Sequence, residues 1–499
     1  MRAYYLILIA ILTSGMNTSC DLKEEPYGFY SDENFFKTAA DAESALYYAY
    51  QILGYREYLH VMYFINDVAT EEMNYATTGS FGIPELDFWN YPMLDNNEQL
   101  DFLFKYAYIG INRANSVIDN VSAGSLDQQV KDRVLGQAYF LRAYHYFYLA
   151  RTFGVVPAQR AMVETVDQAF PNYFTNMDEL YDFIIEDLTK SEQMLEINRR
   201  VGLADKVAAQ SLLAQVYLTI ASAKESNVEF YRDMNKDVTQ MYQLASEMAG
   251  KVLYDQTEYT LDTDLYNIYD FYKPDGPEHI FVLGFDQSGI EGWQYNILPS
   301  YFMPPNSSQL MYFKLPDGSI IPNVDGYGAF NINESFVDSF DPTDKRRTDL
   351  LSKTWYTDVA ATNPRTHTYY LSLKYLSPER RGTRVSGQKP SLIRFSDIAL
   401  VYAEAQGPTT EAYEWLNKIR FRAGLPDAPA SMSLTDFRNY VVQERSYELA
   451  FEANRLFDLR RKAKVATTDP HAMLSGVTED QAAFYPIPAK ELELNPRNN

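Results

Sequence analysis

Apolar and small residues recur at helical spacing through two long stretches of the chain, residues 33–253 and 392–462. The clearest stripe advances by four and three residues, through Val207, Ser211, Ala214, Leu218 and Ala221. Small residues on such a stripe let two helices approach closely. A second face of the same segment is also apolar, which predicts a helix buried on two sides. The pattern restricts the chain to a mainly helical fold.

The two stretches predict nine helices, over residues 38–54, 97–121, 127–153, 177–197, 204–223, 237–253, 392–406, 409–423 and 433–462. Gly154 follows the third helix and Gly424 follows the eighth, and glycine is the usual residue just after a helix end. The helices come in pairs at intervals of about 30–40 residues, with Ala and Tyr at packing positions, which is typical of tetratricopeptide-like arrays.

The chain between these stretches, residues 254–391, has a different character. Proline and glycine become frequent, and aromatic residues cluster among short strands such as 279–285. We expect long irregular loops here, packed as a mixed lobe beside the helical scaffold. Loops carried on a rigid scaffold are where binding residues concentrate.

Charge and cysteine content exclude several classes of partner and site. The single cysteine excludes intrachain disulfides and cysteine-based zinc sites. A net charge of −23 would repel a phosphate backbone, so no nucleic acid is expected as a partner. Acidic polysaccharide is disfavoured for the same reason, except where a local basic patch overrides the overall charge.

Catalytic motifs are missing from the sequence. It contains no Gly-x-Ser-x-Gly elbow, no His-Glu-x-x-His pair and no phosphate-binding Gly-Lys loop, and its five histidines lack metal-site spacing. Pairs among the 67 acidic residues are uninformative because a glycosidase dyad is defined by separation in space. We therefore predict no catalytic residue, no metal and no cofactor.

The N-terminus has the order of a lipoprotein signal. Arg2 precedes an apolar run over residues 4–12, which is too short to span a membrane, and Ser19 stands directly before Cys20. We predict a signal peptide over 1–19 and a lipid on the Cys20 thiol, the alternative being an ordinary secretory signal. A polar tether follows to residue 27.

Several ordered segments resemble the SusD/RagB family of outer-membrane nutrient-binding lipoproteins of Bacteroidetes. In the N-terminal half these are Asn112-Arg113-Ala114-Asn115, Ala138-Tyr139-Phe140-Leu141-Arg142-Ala143 and Arg151-Thr152-Phe153-Gly154. In the C-terminal half they include Arg394-Phe395-Ser396-Asp397, Tyr402-Ala403-Glu404-Ala405, Trp415-Leu416-Asn417-Lys418-Ile419-Arg420, Glu444-Arg445-Ser446-Tyr447-Glu448-Leu449-Ala450-Phe451-Glu452, Arg455-Leu456-Phe457-Asp458-Leu459-Arg460-Arg461 and Tyr485-Pro486-Ile487-Pro488. Residues 201–206 depart from the family pattern.

The resemblance implies a SusD-like fold in one domain over 28–499, with the helical scaffold at 33–253 and 392–462 and the loop-rich lobe at 254–391. It also implies that the protein sits lipid-anchored at the outer membrane, facing the exterior. There it would bind an oligosaccharide, or a peptide or glycopeptide, and deliver it to a SusC-like TonB-dependent transporter. Two other classes stay open: a glycoside hydrolase and a helical-repeat scaffold for protein partners.

A sugar-binding site needs flat aromatic faces with amides or carboxylates at their edges. An early loop and the middle lobe supply such residues, and the resemblance implies that aromatics of these two regions meet in the site. The predicted ligand-binding residues are Trp89, Asp67, Asn90, Tyr91, Trp293, Tyr295 and Tyr301. A packing role is the alternative for each aromatic residue.

The densest charged motif covers residues 444–458. Arg445 with Glu448, and Glu452 with Arg455, have the spacing of partners on one helix. We therefore interpret the motif as a structural ion-pair network rather than an active site.

Overall fold

The structure is a computed structural model that describes residues 36–76, 82–285, 296–307, 309–379 and 386–496. The signal peptide, Cys20, the tether, Trp293 and Tyr295 lie outside the described residues. Helices dominate the described chain, and a small antiparallel sheet accompanies them, which confirms the predicted fold class. In the described ranges every helix is too short or too polar to cross a lipid bilayer.

The N-terminal scaffold consists of eight α-helices among the described residues. Helices α1 to α8 are Ala39–Tyr50, Arg56–Asn66, Ile83–Asp87, Glu98–Ala123, Gln128–Phe153, Met177–Met194, Lys206–Glu225 and Val238–Tyr254. From α4 to α8 each helix packs against the next, as expected for an array of helical pairs. Short 3-10 helices lie between these α-helices at Gln51–Gly54, Tyr91–Asn96 and Asp167–Ala169.

Local signals set the ends of these helices. Asp205 caps α7 by accepting a hydrogen bond from the Ala208 N–H, so the helix begins cleanly although residues 201–206 depart from the family pattern. Gly154 ends α5 at a φ of 74°, a conformation that favours glycine. The predicted stripe on α7 is buried, together with its second apolar face.

The lobe is built on two antiparallel sheets. Strands β1 to β8 are Met73–Tyr75, His279–Val282, Met311–Lys314, Ile320–Asn323, Phe330–Ile332, Leu351–Tyr356, Pro364–Ser372 and Ser391–Arg394. Six of them form one sheet in the order β1-β5-β7-β6-β3-β4, and β2 pairs with β8. Because β1 belongs to the N-terminal part of the chain, its pairing with β5 ties the scaffold to the lobe.

The lobe also contains three short helices, and the C-terminal part returns to the scaffold. Helices α9 to α11 are Leu298–Phe302, Glu334–Ser339 and Lys345–Thr348. Helices α12 to α19 are Phe395–Gln406, Thr410–Arg422, Leu434–Glu448, Arg455–Arg461, Val465–Thr468, Pro470–Ser475, Glu479–Ala483 and Ala489–Leu494. Helix α12 packs against α8, and one hydrophobic core contains side chains from the scaffold and the lobe.

The helix predicted over residues 433–462 is broken, which corrects the sequence interpretation. Phe451 and Ala453 adopt left-handed φ values of 64° and 58° between α14 and α15. Two buried carboxyl groups from the other end of the chain hold this turn: Glu72 accepts the Phe451 N–H at 2.9 Å, and Asp67 accepts the Ala453 N–H at 2.8 Å. Long-range contacts therefore override the local helical pattern.

The charged motif is a buried ion-pair network, but its partners differ from the predicted ones. Glu448 accepts from Arg394 at 2.7 Å and from Arg422 at 2.6 Å, rather than from Arg445. Arg445 instead pairs with Asp397 at 2.6 Å. The predicted i, i+3 pairings are wrong because residues distant in the sequence supply the partners. Arg445 and Glu448 share α14 but face different neighbours, and Glu452 pairs with Arg394 whereas Arg455 pairs with Glu71.

Within this network the Glu448 carboxylate lies among three arginines. Burial alone would raise the pKa of its carboxyl, but Arg422, Arg394 and Arg346 together hold that pKa well below its usual range. The three arginines come from α13, the end of β8 and α11, so one carboxylate joins three separate elements to α14. Its negative charge is needed because the arginines remain ionised.

We predict that Glu448→Gln lowers the free energy of unfolding by about 3–5 kcal/mol, because it leaves buried arginines without a balancing charge. Urea denaturation followed by circular dichroism at pH 7 measures the change. The matched control is Glu186→Gln, which removes one member of the exposed pair that Glu186 forms with Lys190 at 2.6 Å. Its expected effect is below about 0.5 kcal/mol. Equal effects of the two substitutions would contradict the account.

Candidate functional site

Three tyrosines meet where β1, α9 and the chain before β5 come together, and we call Tyr75, Tyr301 and Tyr327 the aromatic surface. The ring centroids of Tyr301 and Tyr327 are 6.0 Å apart. Phe330 fills the space between them and Tyr75, with centroid distances of 5.2 Å to Tyr301 and 6.3 Å to Tyr75. Tyr327 is 44% exposed, whereas Phe330 is buried.

The backbone around Gly326 fixes Tyr327 beside Tyr301. The Tyr327 N–H donates to the Ser300 carbonyl at 2.6 Å, and the Ala329 N–H donates to the Tyr301 carbonyl at 3.0 Å. A Cβ at Gly326 would lie 2.1 Å from the Met303 carbonyl oxygen, so only glycine allows this close approach. The two rings are therefore positioned before any ligand arrives.

An uncharged layer supports the aromatic surface from α2. Phe64 contacts Tyr301 edge-to-face at 5.6 Å, and His60 does the same at 5.3 Å. Burial, reinforced by Arg56, lowers the pKa of His60 to about 3, so its imidazole is neutral at physiological pH. Neither ring nitrogen of His60 has a hydrogen-bond partner within the described residues. The surface thus rests on apolar packing rather than on charge.

One carboxyl group, that of Asp87, anchors β1 next to the aromatic surface. Asp87 accepts the Tyr75 N–H at 2.8 Å and an Asn74 amide hydrogen at 2.9 Å. Its Oδ1 also lies 2.8 Å from His471 Nδ1, which connects the loop to α17. Asp87 is buried, and burial raises the pKa of its carboxyl. It positions Asn74 and Tyr75 and presents no free face to a ligand.

Trp89 lies inside the protein, where its ring has a packing role. The side chain is 1% exposed, and its Nε1 donates to the Ala69 carbonyl at 3.2 Å. Tyr485 stacks on the indole with a centroid distance of 5.7 Å. Because the C-terminal segment covers the ring, Trp89 cannot offer a stacking face in this conformation.

Asp67 is also internal. It is fully buried, and its contact with the Ala453 N–H serves the turn between α14 and α15. Burial, reinforced by the nearby Glu452, raises the pKa of Asp67 to about 8, and the buried Glu72 has a raised pKa as well. Asp67 is therefore a support of the C-terminal turn and does not lie on the aromatic surface.

The other predicted residues have different placements. Tyr301 lies on the aromatic surface, Asn90 is exposed after α3, and Tyr91 is partly buried against the core. Their contact with a ligand stays a prediction, as does that of Trp293 and Tyr295.

Sequence reasoning singled out neither Tyr75 nor Tyr327 as a site residue. The glycines on both sides of Tyr327 were the available signal, because they mark a close backbone approach.

The aromatic surface offers flat rings and phenolic hydroxyls, which suit the apolar face and hydroxyl edge of a sugar ring. In the described part of the chain no cluster of three His, Cys, Asp or Glu side chains has the geometry to hold a metal ion.

Family models match both halves of the chain. The model of the SusD family matches residues 344–498. A second model, described as starch-binding associating with outer membrane, matches residues 32–218. The two matched segments together cover more than half of the chain. The chain belongs to the SusD family.

Individual relatives agree over almost the full length. SusD-like protein P2 of Formosa agariphila is 25% identical, and the alignment covers 99% of this chain and 98% of that protein. A SusD homolog from Bacteroides thetaiotaomicron has a similar structure, with a TM-score of 0.76, 20% identity and coverage of 94% of this chain and 97% of the other. A laminarin-binding SusD-like protein has a TM-score of 0.74 at 20% identity, with coverage of 92% and 98%.

We predict that Asp67→Asn removes a pH-dependent part of the stability. The folded protein keeps a proton on Asp67 up to about pH 8, whereas the unfolded chain loses it near the ordinary value of 3.8. The stabilisation present below pH 4 is therefore lost as the pH rises to 8, at up to about 1.4 kcal/mol per pH unit. The free energy of unfolding of wild type relative to Asp67→Asn should fall across this window.

Urea denaturation at pH 4, 5, 6, 7 and 8 measures this difference. The exposed Asp233→Asn is the control, and its stability should follow that of wild type at every pH. A difference between wild type and Asp67→Asn that stays constant with pH would show that Asp67 ionises normally.

Proposed function

We propose that this SusD-family chain is a surface glycan-binding lipoprotein that takes up an oligosaccharide on the aromatic surface. The observation that carries the proposal is the Tyr301–Tyr327 pair, held 6.0 Å apart by backbone contacts and open to solvent at Tyr327. Two aromatic rings set at an angle of 44° suit successive sugar units of a chain that turns as it lengthens.

Related proteins support the same ligand class. The second matching family is starch-binding, and one structural neighbour is a laminarin-binding SusD-like protein. We infer a neutral oligosaccharide for the aromatic surface, because the layer beneath it is uncharged. Binding without catalysis is proposed, since the aromatic rings and their hydroxyls supply no paired acid and base.

The cellular setting is also a proposal. Cys20 would carry a lipid that holds the protein at the outer membrane on the cell exterior, with the 20–27 segment as a tether. From there the chain would pass its ligand to a SusC-like TonB-dependent transporter. The family membership and the outer-membrane association of the second matching family support this assignment.

We predict that Tyr327→Ala and Tyr301→Ala each weaken glycan binding about tenfold, equivalent to about 1.4 kcal/mol, because each removes a ring that a sugar face covers. Affinity electrophoresis on a panel of neutral polysaccharides identifies the ligand, and isothermal titration with its hexasaccharide gives the Kd. The mature protein from residue 21 is used.

Tyr272→Ala is the matched control, because Tyr272 is a tyrosine of the lobe that is 65% exposed and lies outside the aromatic surface. It should leave the Kd unchanged. The proposal is contradicted if both aromatic-surface variants bind as wild type does, or if the protein binds peptides and no polysaccharide of the panel.

A further inference from the structure

A second recess lies on the helical scaffold and shares no residue with the aromatic surface. It is an open groove of about 730 Å³, which is within the usual size range of ligand sites. Its floor is one face of α4, and its walls come from α1, the chain between α5 and α6, and α19. We call it the scaffold groove and define it by Tyr48, Phe102, Lys105, Ile109, Arg113 and Leu494.

Arginine and tyrosine form a rigid unit at one end of the scaffold groove. The Arg113 guanidinium carbon lies 3.6 Å from the ring centroid of Tyr48, and Nη1 donates to the Tyr48 carbonyl at 2.9 Å. Tyr48 is still 55% exposed. Stacking on a ring orders a guanidinium, and an ordered guanidinium can bind a carboxylate or a sulfate through two parallel N–H donors.

The charge of the scaffold groove is positive, although the whole chain is strongly acidic. Asp101 is neutralised by Lys490 at 3.1 Å. Lys105 lies 5.5 Å from the centroid of the Tyr106 ring and Arg113 stacks on Tyr48, and no ion pair within the described residues includes either cation. The remaining acid, Glu491, accepts from Asn495 at 3.0 Å, and burial raises its pKa. The cations without carboxylate partners therefore outnumber the free carboxylates in the groove.

The spacing of the two cations favours an extended ligand over a small ion. Lys105 and Arg113 are eight residues apart on α4, which corresponds to about 12 Å along the helix axis. Between them Ile109 supplies an apolar floor, and Asn112 supports one wall by accepting the Val163 N–H at 2.8 Å. The rest of the groove lining is largely apolar, but the apolar face of a docked protein helix would leave both cations without an anionic partner, whereas an acidic saccharide supplies one.

We propose that the scaffold groove is a second carbohydrate site that binds an anionic oligosaccharide, with Lys105 and Arg113 pairing with its acidic groups and Tyr48 receiving a sugar face. The site goes beyond the proposed function, because it differs from the aromatic surface in location and in the charge of its ligand. The groove is a local basic patch, so it can bind an acidic glycan although the net negative charge of the chain repels such ligands in general.

Isothermal titration with three hexasaccharides tests the proposal: one from alginate, which carries carboxylates, one from carrageenan, which carries sulfates, and neutral laminarihexaose. The double variant Lys105→Met/Arg113→Met keeps the aliphatic packing and removes both charges. We expect at least tenfold weaker binding of an acidic hexasaccharide to the double variant, and weaker binding to wild type as salt rises from 50 to 200 mM. The tighter of the two acidic ligands identifies the anion.

Matched variants separate a groove effect from a general one. Lys418→Met removes a lysine that lies 3.9 Å above the Trp415 ring and outside the groove, and it should bind like wild type. Arg113→Lys retains the charge and should restore part of the affinity lost in Arg113→Met. Tyr327→Ala should leave acidic-ligand binding unchanged, so failure of this proposal is distinguishable from failure of the aromatic-surface proposal. Thermal unfolding confirms that each variant is folded.

Three outcomes overturn the proposal. The first is that no acidic hexasaccharide binds. The second is that one binds equally to wild type and to the folded double variant. The third is that the groove variants abolish association with a purified membrane partner while no saccharide binds, which would assign the groove to protein docking.

Discussion

The assembly of the C-terminal half depends on the ion pairs that the buried carboxylate of Glu448 forms with arginines. This carboxylate lies between arginines from three elements, and the helix that carries it ends at the same residue. The turn that follows has left-handed residues and is held by Asp67 and Glu72 from the N-terminal part of the chain. Since Glu72 directly precedes β1, the same contacts fix the strand that brings Tyr75 to the lobe.

The position of the aromatic surface depends on these contacts, because they fix β1. Strand β1 pairs with β5 so that Tyr75 stands opposite Phe330, and the 326–329 segment then holds Tyr327 against α9. Residues from three distant parts of the sequence thus form one surface. A site of this kind is rigid because its positions are set by backbone hydrogen bonds and packing, which reduces the entropy lost when a ligand binds.

The helical scaffold was predictable because its signals are local. Gly154 and the stripe along α7 depend on neighbours within a few residues, and the observed ends agree with the predicted ones within about three residues. Helix α2 was missed because its residues 58–65 form a short, mostly apolar run, and such a run does not distinguish a buried helix from a buried strand. The break in the helix after Glu448 and the burial of Trp89 could not be predicted from local signals. Asp67 holds the turn after Glu448 and Tyr485 covers Trp89, and each lies hundreds of residues away from its contact in the sequence.

Hydrogen–deuterium exchange tests the central claim that the aromatic surface receives the glycan. The mature protein is compared with and without a saturating amount of the neutral hexasaccharide that it binds most tightly. The account predicts slower exchange in residues 73–76, 298–302 and 326–330, with little change along α8. Unchanged exchange in all three segments at saturation would contradict it.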